Sequence, residues 1–475
     1  MRPRAVYRLL GLLILLAAGC RLPKPYFAER LHFDRLSPWT GFEEEGFSTG
    51  KSVARGRSKP NPIRRVSTTG RPEYAETLAP PVAVLDWDPG VSSRWEILYG
   101  TNRAPTSGSE LSLVRYGNTV AAEPQYGVCT VRLPHRARGQ DLVPAPAPPP
   151  DPPSPLAQGL FVSAPRSKTD RHDRDTHLRG KLETVQALPA AHFAEELRDM
   201  TARSVQKDVL VFVHGFNVSY DEAVLRATQV AADLPFNGAI VVYSWPSQGG
   251  VDSYERDGEV VLESELAFTE FLTTVANSVP GETKINLVVH SMGNRLVQRS
   301  LWRLPDEFTS PPRFDEIVFC APDVGIEEFR RNVRQAKKVG RRVTLYQCCN
   351  DAALIASMFR NKEERAGSPN APVLIEGMDT IETAPVDSSL LGHSYYGSNT
   401  SVLRDLFAIV KEHAPVEERP WLKRYPLPFQ KTPFWIFGSF PEELDWEWTI
   451  EAEGNAILPQ AGHSFRDTDA MPRRH

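Results

Sequence analysis

The chain is short of cysteine, of excess basic charge and of long apolar runs, and each shortage removes a class of protein. Its five cysteines show no metal-ligand spacing, so no structural zinc module is expected. Cys348 and Cys349 are adjacent and poor partners for each other. Cys129, Cys320, Cys348 and Cys349 are therefore read as buried free thiols, with a Cys320–Cys348 bridge as the alternative. A formal net charge of -4 and a sequence pI near 6.3 give no concentrated basic face, so nucleic acid is not an expected partner. The longest N-terminal apolar run, Leu9 to Leu16, is too short to span a bilayer comfortably. No internal repeat is present. Nothing implies a metal or an organic cofactor, and His172-Asp173-Arg174-Asp175-Thr176-His177 reads as a solvated loop because no helical pattern converges its side chains.

Proline, by contrast, is abundant. The 41 prolines exceed the usual share of about 5% and gather in a linker and toward the ends. Residues 43–81 carry Gly, Ser, Arg and Pro without apolar periodicity, which marks 21–80 as a flexible tether. A second proline-rich stretch near 142–158 contains Pro148-Pro149-Pro150 and Pro152-Pro153. It favours extended polyproline II and reads as a surface insertion. The remaining pattern makes 81–415 one large domain, followed by a C-terminal tail, 416–475, in which Trp421, Trp435, Trp446 and Trp448 stand among prolines and acids. Aromatic density of that kind is expected to pack against the core.

At the N-terminus, Arg2, Arg4 and Arg8 precede the short apolar run, which ends in Ala17-Ala18-Gly19-Cys20. Residues 1–20 thus have the basic, apolar and small-residue regions of a signal peptide. The ending resembles a bacterial lipobox, although position 17 is Ala where Leu is commonest. The resemblance implies that Cys20 is lipidated and that the protein is held at a membrane of the bacterial cell envelope. Because Arg21 follows, rather than the Asp tied to inner-membrane retention, it implies the outer membrane.

Between the proline-rich insertion and the tail, apolar runs alternate with amphipathic helices. That alternation predicts an α/β fold, a doubly wound and mostly parallel sheet with helices on both faces. Strands are expected at 95–99, 126–131, 209–213, 239–246, 285–290, 316–320, 342–346 and 372–376. Ser219 with Glu222 forms a capping-box signal before the helix from Tyr220. Leu262, Leu266, Phe268, Phe271, Leu272 and Val275 predict one long helix.

The chemistry centres on Ile285-Asn286-Leu287-Val288-Val289-His290-Ser291-Met292-Gly293-Asn294. An apolar strand breaks at a serine and a helical pattern begins at once, the layout of a nucleophile elbow. A serine hydroxyl needs a histidine to take its proton and a carboxylate to hold that histidine. Functional groups gather at the C-terminal ends of parallel strands, where Ser291, Asp351 and then His393 follow in the chain order of an α/β-hydrolase triad. Asp323, one strand nearer the nucleophile, is the alternative acid. The backbone N–H groups of Met292 and Phe216 are the expected oxyanion donors, and His214 and His290 are read as structural.

Taken together, His214-Gly215-Phe216-Asn217, Tyr243-Ser244-Trp245-Pro246-Ser247, His290-Ser291-Met292-Gly293-Asn294, Ala321-Pro322-Asp323-Val324, His393-Ser394-Tyr395-Tyr396 and Tyr99-Gly100-Thr101-Asn102-Arg103 resemble a largely uncharacterised bacterial α/β-hydrolase family of the esterase/lipase superfamily. The resemblance spans about residues 95 to 413 without the proline-rich insertion. It implies a Ser-Asp-His hydrolase acting on a small-molecule or lipid acyl substrate, most simply an ester. Amide or peptide cleavage and acyl transfer use the same site, and a non-catalytic envelope scaffold is the reading from another class. Neither oligomeric state nor acyl group is legible. The general G-x-S-x-G pattern is broken at Val289, so the elbow must fit a branched side chain where glycine is usual.

Overall fold

From residue 180 onward, short β-branched runs and amphipathic helices alternate, and the runs pair side by side. The computed structural model describes residues 82–88, 92–106, 114–134, 180–234, 236–384, 400–427, 430–438, 446–451 and 456–461. The signal-peptide region with Cys20, the segment read as a tether up to residue 81, the proline-rich insertion, the His172–His177 stretch and the loop carrying His393 lie outside the described residues.

The strands are β1 (Val84–Asp88), β2 (Ser92–Thr106), β3 (Arg115–Pro134), β4 (Lys181–Leu188), β5 (Val209–Val213), β6 (Ala239–Ser244), β7 (Ile285–His290), β8 (Phe314–Cys320), β9 (Gly340–Gln347), β10 (Asp379–Glu382), β11 (Leu422–Tyr425) and β12 (Phe434–Phe437). They form one twelve-stranded sheet in the order β11-β12-β10-β9-β8-β7-β5-β6-β2-β3-β4, with β1 paired to β2. From β2 to β12 the neighbours are parallel. Antiparallel pairs β2–β3, β3–β4 and β11–β12 close the two sides. Every residue of β5, β6, β7 and β8 is buried, as expected of strands covered on both faces.

The helices are α1 (Ala190–Arg203), α2 (Tyr220–Asp233), α3 (Tyr254–Glu263), α4 (Glu265–Ser278), α5 (Gly293–Ser300), α6 (Ile326–Val339), α7 (Ala352–Asn361) and α8 (Thr400–Val410). The crossover β5-α2-β6 runs toward β4, whereas β7-α5-β8 runs toward β11. Right-handed crossovers in opposite directions put α2 and α5 on opposite faces. The direction reverses between β5 and β7, so a crevice opens at their C-terminal ends, the place where such sheets bind ligands. The predicted capping box at Ser219 and Glu222 is present and starts α2.

Three expectations are corrected. Residues 372–376 are not a strand: Val373 N–H donates to the Gln347 side chain (3.2 Å), Ile375 C=O closes a turn with Met378 N–H (3.1 Å), and Gly377 takes φ +74°. The strand is the less apolar Asp379–Glu382, buried because it sits between β9 and β12. The single long helix is two, broken at Ser264, whose Oγ donates to Val260 C=O (2.8 Å) and accepts from Asn102 (2.8 Å). Leu262 and Leu266, flanking that break, are exposed. The sheet also runs past residue 415.

There β11 and β12 extend it, with Trp421 and Trp435 buried. Buried Asp405 on α8 accepts from Tyr346 on β9, from Arg419 (2.8 Å) and from Trp421 Nε1 (2.6 Å), pinning the start of this segment to the core. Trp446 and Trp448 belong to a separate antiparallel hairpin, β13 (Trp446–Glu451) with β14 (Ala456–Ala461). The four cysteines described, Cys129, Cys320, Cys348 and Cys349, are buried thiols that form no disulfide, so no Cys320–Cys348 bridge is made.

Candidate active site

Ser291 stands between β7 and α5 with φ +51°. A non-glycine residue in that region is strained by about 1–3 kcal/mol and persists only where its surroundings hold it. Four hydrogen bonds do so. Ser291 N–H donates to Cys320 C=O (3.0 Å), and its own C=O accepts from Asn294 N–H (3.1 Å), Asp323 N–H (3.2 Å) and Asn294 Nδ2 (2.8 Å). The turn aims the N-terminus of α5 beneath the serine, where the helix dipole favours negative charge.

Two glycines make room for this turn. A Cβ on Gly293 would lie 2.4 Å from His214 C=O, and one on Gly215 would lie 2.7 Å from Ser291 Cβ. Val289 meanwhile sits buried between Val213 on β5 and Phe319 on β8.

The loop after β5 therefore abuts the nucleophile position. Asn217 has φ +59°, and buried Asp257 on α3 ties this loop to the exit of β6: it accepts from Ser247 Oγ (2.5 Å), Gln248 N–H (2.7 Å) and Asn217 N–H (3.4 Å). Arg103, also buried, reaches in from β2. Its guanidinium donates to Val218 C=O (2.7 Å), Ser244 Oγ (2.9 Å), Gly117 C=O (3.1 Å) and Ser247 C=O (3.2 Å). Burial pulls its pKa down to about 10, which leaves it charged at neutral pH. The sequence motifs at 99–103 and 243–247 thus meet at one guanidinium, which also holds Val218, the residue that follows the third motif at 214–217. The Phe216 ring packs edge-on against Tyr254 at 5.3 Å.

His214 is buried. Its ring lies parallel to Trp245 at 5.1 Å, and burial, with the charge of Arg103, pulls its pKa down to about 3.

The two acid candidates occupy different environments. Asp323 is clamped: its carboxylate accepts from Tyr254 (2.6 Å), Ser357 and Arg295 (3.0 Å) and forms an ion pair with Arg365 (3.2 Å). Burial works against its charge, yet Arg295 and Arg365 hold it below the usual carboxylate range. Asp351 is fully buried at the exit of β9, where its Oδ1 accepts the N–H of Leu354 (2.9 Å) and caps α7. Beside it, Glu382 at the end of β10 accepts from Cys349 N–H (2.9 Å), Gln347 Nε2 (3.1 Å) and Ala384 N–H (3.1 Å), and burial pushes its pKa up to about 7. Glu382 joins the turn at Cys349 to the end of β10. Sequence reading missed Arg103, Asp257 and Glu382 as site-building residues; only Arg103 lay within a motif.

At the opposite, N-terminal ends of the strands, Asp315, Glu316 and His413 lie close enough for a cation. All three already have partners: His413 sits between Asp315 (2.9 Å) and Asp208 (3.2 Å), and Glu316 pairs with Arg342. Burial opposes charge on His413, but hydrogen bonds to Asp208 and Asp315 outweigh it and raise its pKa. Asp315 is held below its usual value despite burial, first by its hydrogen bond to His413. The His413 contribution is complete below the ordinary histidine value and is lost as pH rises through the raised one; that of Asp315 is lost in acid. The melting advantage of the native protein over His413→Gln is thus expected to be larger near about pH 6 than near about pH 9. An advantage equal at both values would show that the histidine carries no charge there.

A strained serine at a strand-to-helix turn, on the switch point of a doubly wound sheet, defines the α/β-hydrolase class. Residues 190–410 match the family described as "Alpha/beta hydrolase of unknown function (DUF900)", so a domain of that family is present. The Tyr99–Arg103 segment precedes the match, although β2 pairs directly with β6. No curated protein matches the chain. Among solved structures, a candidate thioesterase from Silicibacter sp. tm1040 is 16% identical, with 46% of this chain and 89% of that one covered and a TM-score of 0.24. Phospholipase PlaB from Legionella pneumophila in complex with thio-NAD is 11% identical, covering 46% of this chain and 65% of that one, with a TM-score of 0.21. No helix among the described residues is long and apolar enough to cross a membrane.

Proposed function

We propose that the protein is a serine hydrolase that cleaves an ester or related acyl substrate through an acyl-enzyme intermediate. The observation that carries this reading is the positive φ of Ser291, strain spent at a turn that aims a hydroxyl out of the sheet. In this mechanism His393 takes the proton of Ser291 as the hydroxyl attacks the acyl carbon, and Asp351 holds the histidine tautomer. Met292 and Phe216 donate their N–H groups to the oxyanion, each worth about 2.7–4 kcal/mol in the barrier. His393 then returns the proton to the leaving group, and water repeats the sequence to release the acid. The clamped state of Asp323 supports Asp351 as the acid, since a carboxylate shared by two arginines has little capacity left for a histidine. A fluorophosphonate probe is expected to label Ser291; an unlabelled, folded protein would favour the scaffold reading.

The same proposal places the enzyme on the bacterial envelope through lipid on Cys20, with the outer membrane as its site. Acyl chains contribute about 0.8 kcal/mol per buried methylene, and two or more anchor stably. Cys20→Ser is expected to shift the protein from the membrane to the soluble fraction of its native cell. Mass spectrometry that finds Cys20 unmodified inside the mature chain would remove the anchor.

A further inference from the structure

We propose that Arg103, Ser244 and His214 form a hydrogen-bond relay that fixes the tautomer of His214 and, through it, the orientation of the Gly215–Phe216 peptide. The relay rests on the reading of Phe216 N–H as an oxyanion donor and makes His214 a positioning residue for that donor.

The argument begins at Gly215. His214 Nδ1 lies 2.8 Å from Gly215 C=O, and a carbonyl can only accept, so Nδ1 must carry a proton. In a neutral ring the other nitrogen is then an acceptor. His214 Nε2 is 3.3 Å from Ser244 Oγ, so the serine hydroxyl donates to it. Ser244 Oγ in turn accepts from Arg103 Nε (2.9 Å), which has no capacity to accept. Each bond's direction is forced by the next: guanidinium to hydroxyl, hydroxyl to imidazole, imidazole to carbonyl.

The last bond bears on catalysis. In a trans peptide the C=O and the following N–H point opposite ways. Holding Gly215 C=O against the His214 ring therefore turns Phe216 N–H to the other side, and Gly215 is the residue pressed against Ser291. The ring itself is locked by Trp245, whose face it stacks on and whose Nε1 donates to His214 C=O (2.9 Å). Neutrality is also secured, because burial and the nearby guanidinium keep the ring uncharged at any working pH. A charged ring would instead donate from Nε2, reversing that bond and leaving Ser244 Oγ to accept from both the imidazolium and the guanidinium.

The test uses the full-length protein with ¹⁵N-labelled histidine and p-nitrophenyl butyrate as the ester. His214, assigned by the resonance lost in His214→Gln, is expected as the Nδ1–H tautomer and not to titrate between about pH 5 and about pH 9. In Ser244→Ala the tautomer preference should weaken. There kcat should fall about tenfold to a hundredfold, less than the loss of a whole oxyanion donor, with KM nearly unchanged. Fluorophosphonate labelling of Ser291 controls for an intact nucleophile in the variant. An Nε2–H tautomer in the native protein overturns the relay even if Ser244→Ala fails to fold. Wild-type kcat in a folded Ser244→Ala overturns its catalytic role. Should the native protein neither label nor turn over ester, the hydrolase reading falls, and the tautomer still decides the relay.

Discussion

Ser291→Ala is expected to lose fluorophosphonate labelling and to lower ester turnover by on the order of 10⁶ while folding as cooperatively as the native chain. The size follows from the role: without the hydroxyl there is no acyl-enzyme, and the remaining donors act only on uncatalysed attack by water. Stability should barely move, because alanine keeps a Cβ and the backbone still has to hold φ +51°. Ser291→Gly separates the two properties. It removes the same nucleophile but also the Cβ that resists this conformation, so it should be as inactive and more stable, by about 1 kcal/mol. Undiminished turnover by the alanine variant would sink the mechanism. Equal melting temperatures for the alanine and glycine variants would show that the elbow stores no strain.

How much of this was legible in the sequence depends on the range of the forces involved. Val209–Val213 and Ile285–His290 were read with their observed bounds, because a strand buried on both faces writes its whole length as apolar residues. The start of α2 was legible for a similar reason: Ser219 and Glu222 satisfy each other over three residues. The failures are tertiary. Asp379–Glu382 is a strand only because β9 and β12 flank it, and the more apolar 372–376 is diverted by a turn and by the side chain of Gln347. The helix break at Ser264 depends on Asn102, 162 residues earlier. Within the site, the elbow, the loop after β5 and the candidate acids could be located by motif and strand end. What could not be seen is that Arg103 ties the exit of β6 to Val218 in the loop after β5, or that Asp323 is already committed to Arg295 and Arg365.

That commitment sharpens the expected contrast between the two acids. Asp351→Asn should keep its fold, because asparagine caps a helix about as well as aspartate and the Leu354 N–H retains an acceptor. Its turnover should nevertheless fall on the order of 10⁴, the cost of losing the charge that holds a catalytic histidine in the productive tautomer. Asp323→Asn should do the opposite. It leaves Arg295 and buried Arg365 without their shared carboxylate, and breaking a buried pair in this way costs about 3–5 kcal/mol. Each molecule that remains folded should still turn over ester at nearly the native rate. Melting curves and kcat per folded active site, the latter counted by fluorophosphonate titration, read the two effects independently. If Asp323→Asn loses turnover while Asp351→Asn keeps it, the acid is Asp323, its arginine clamp is part of the catalytic apparatus, and Asp351 is a helix cap.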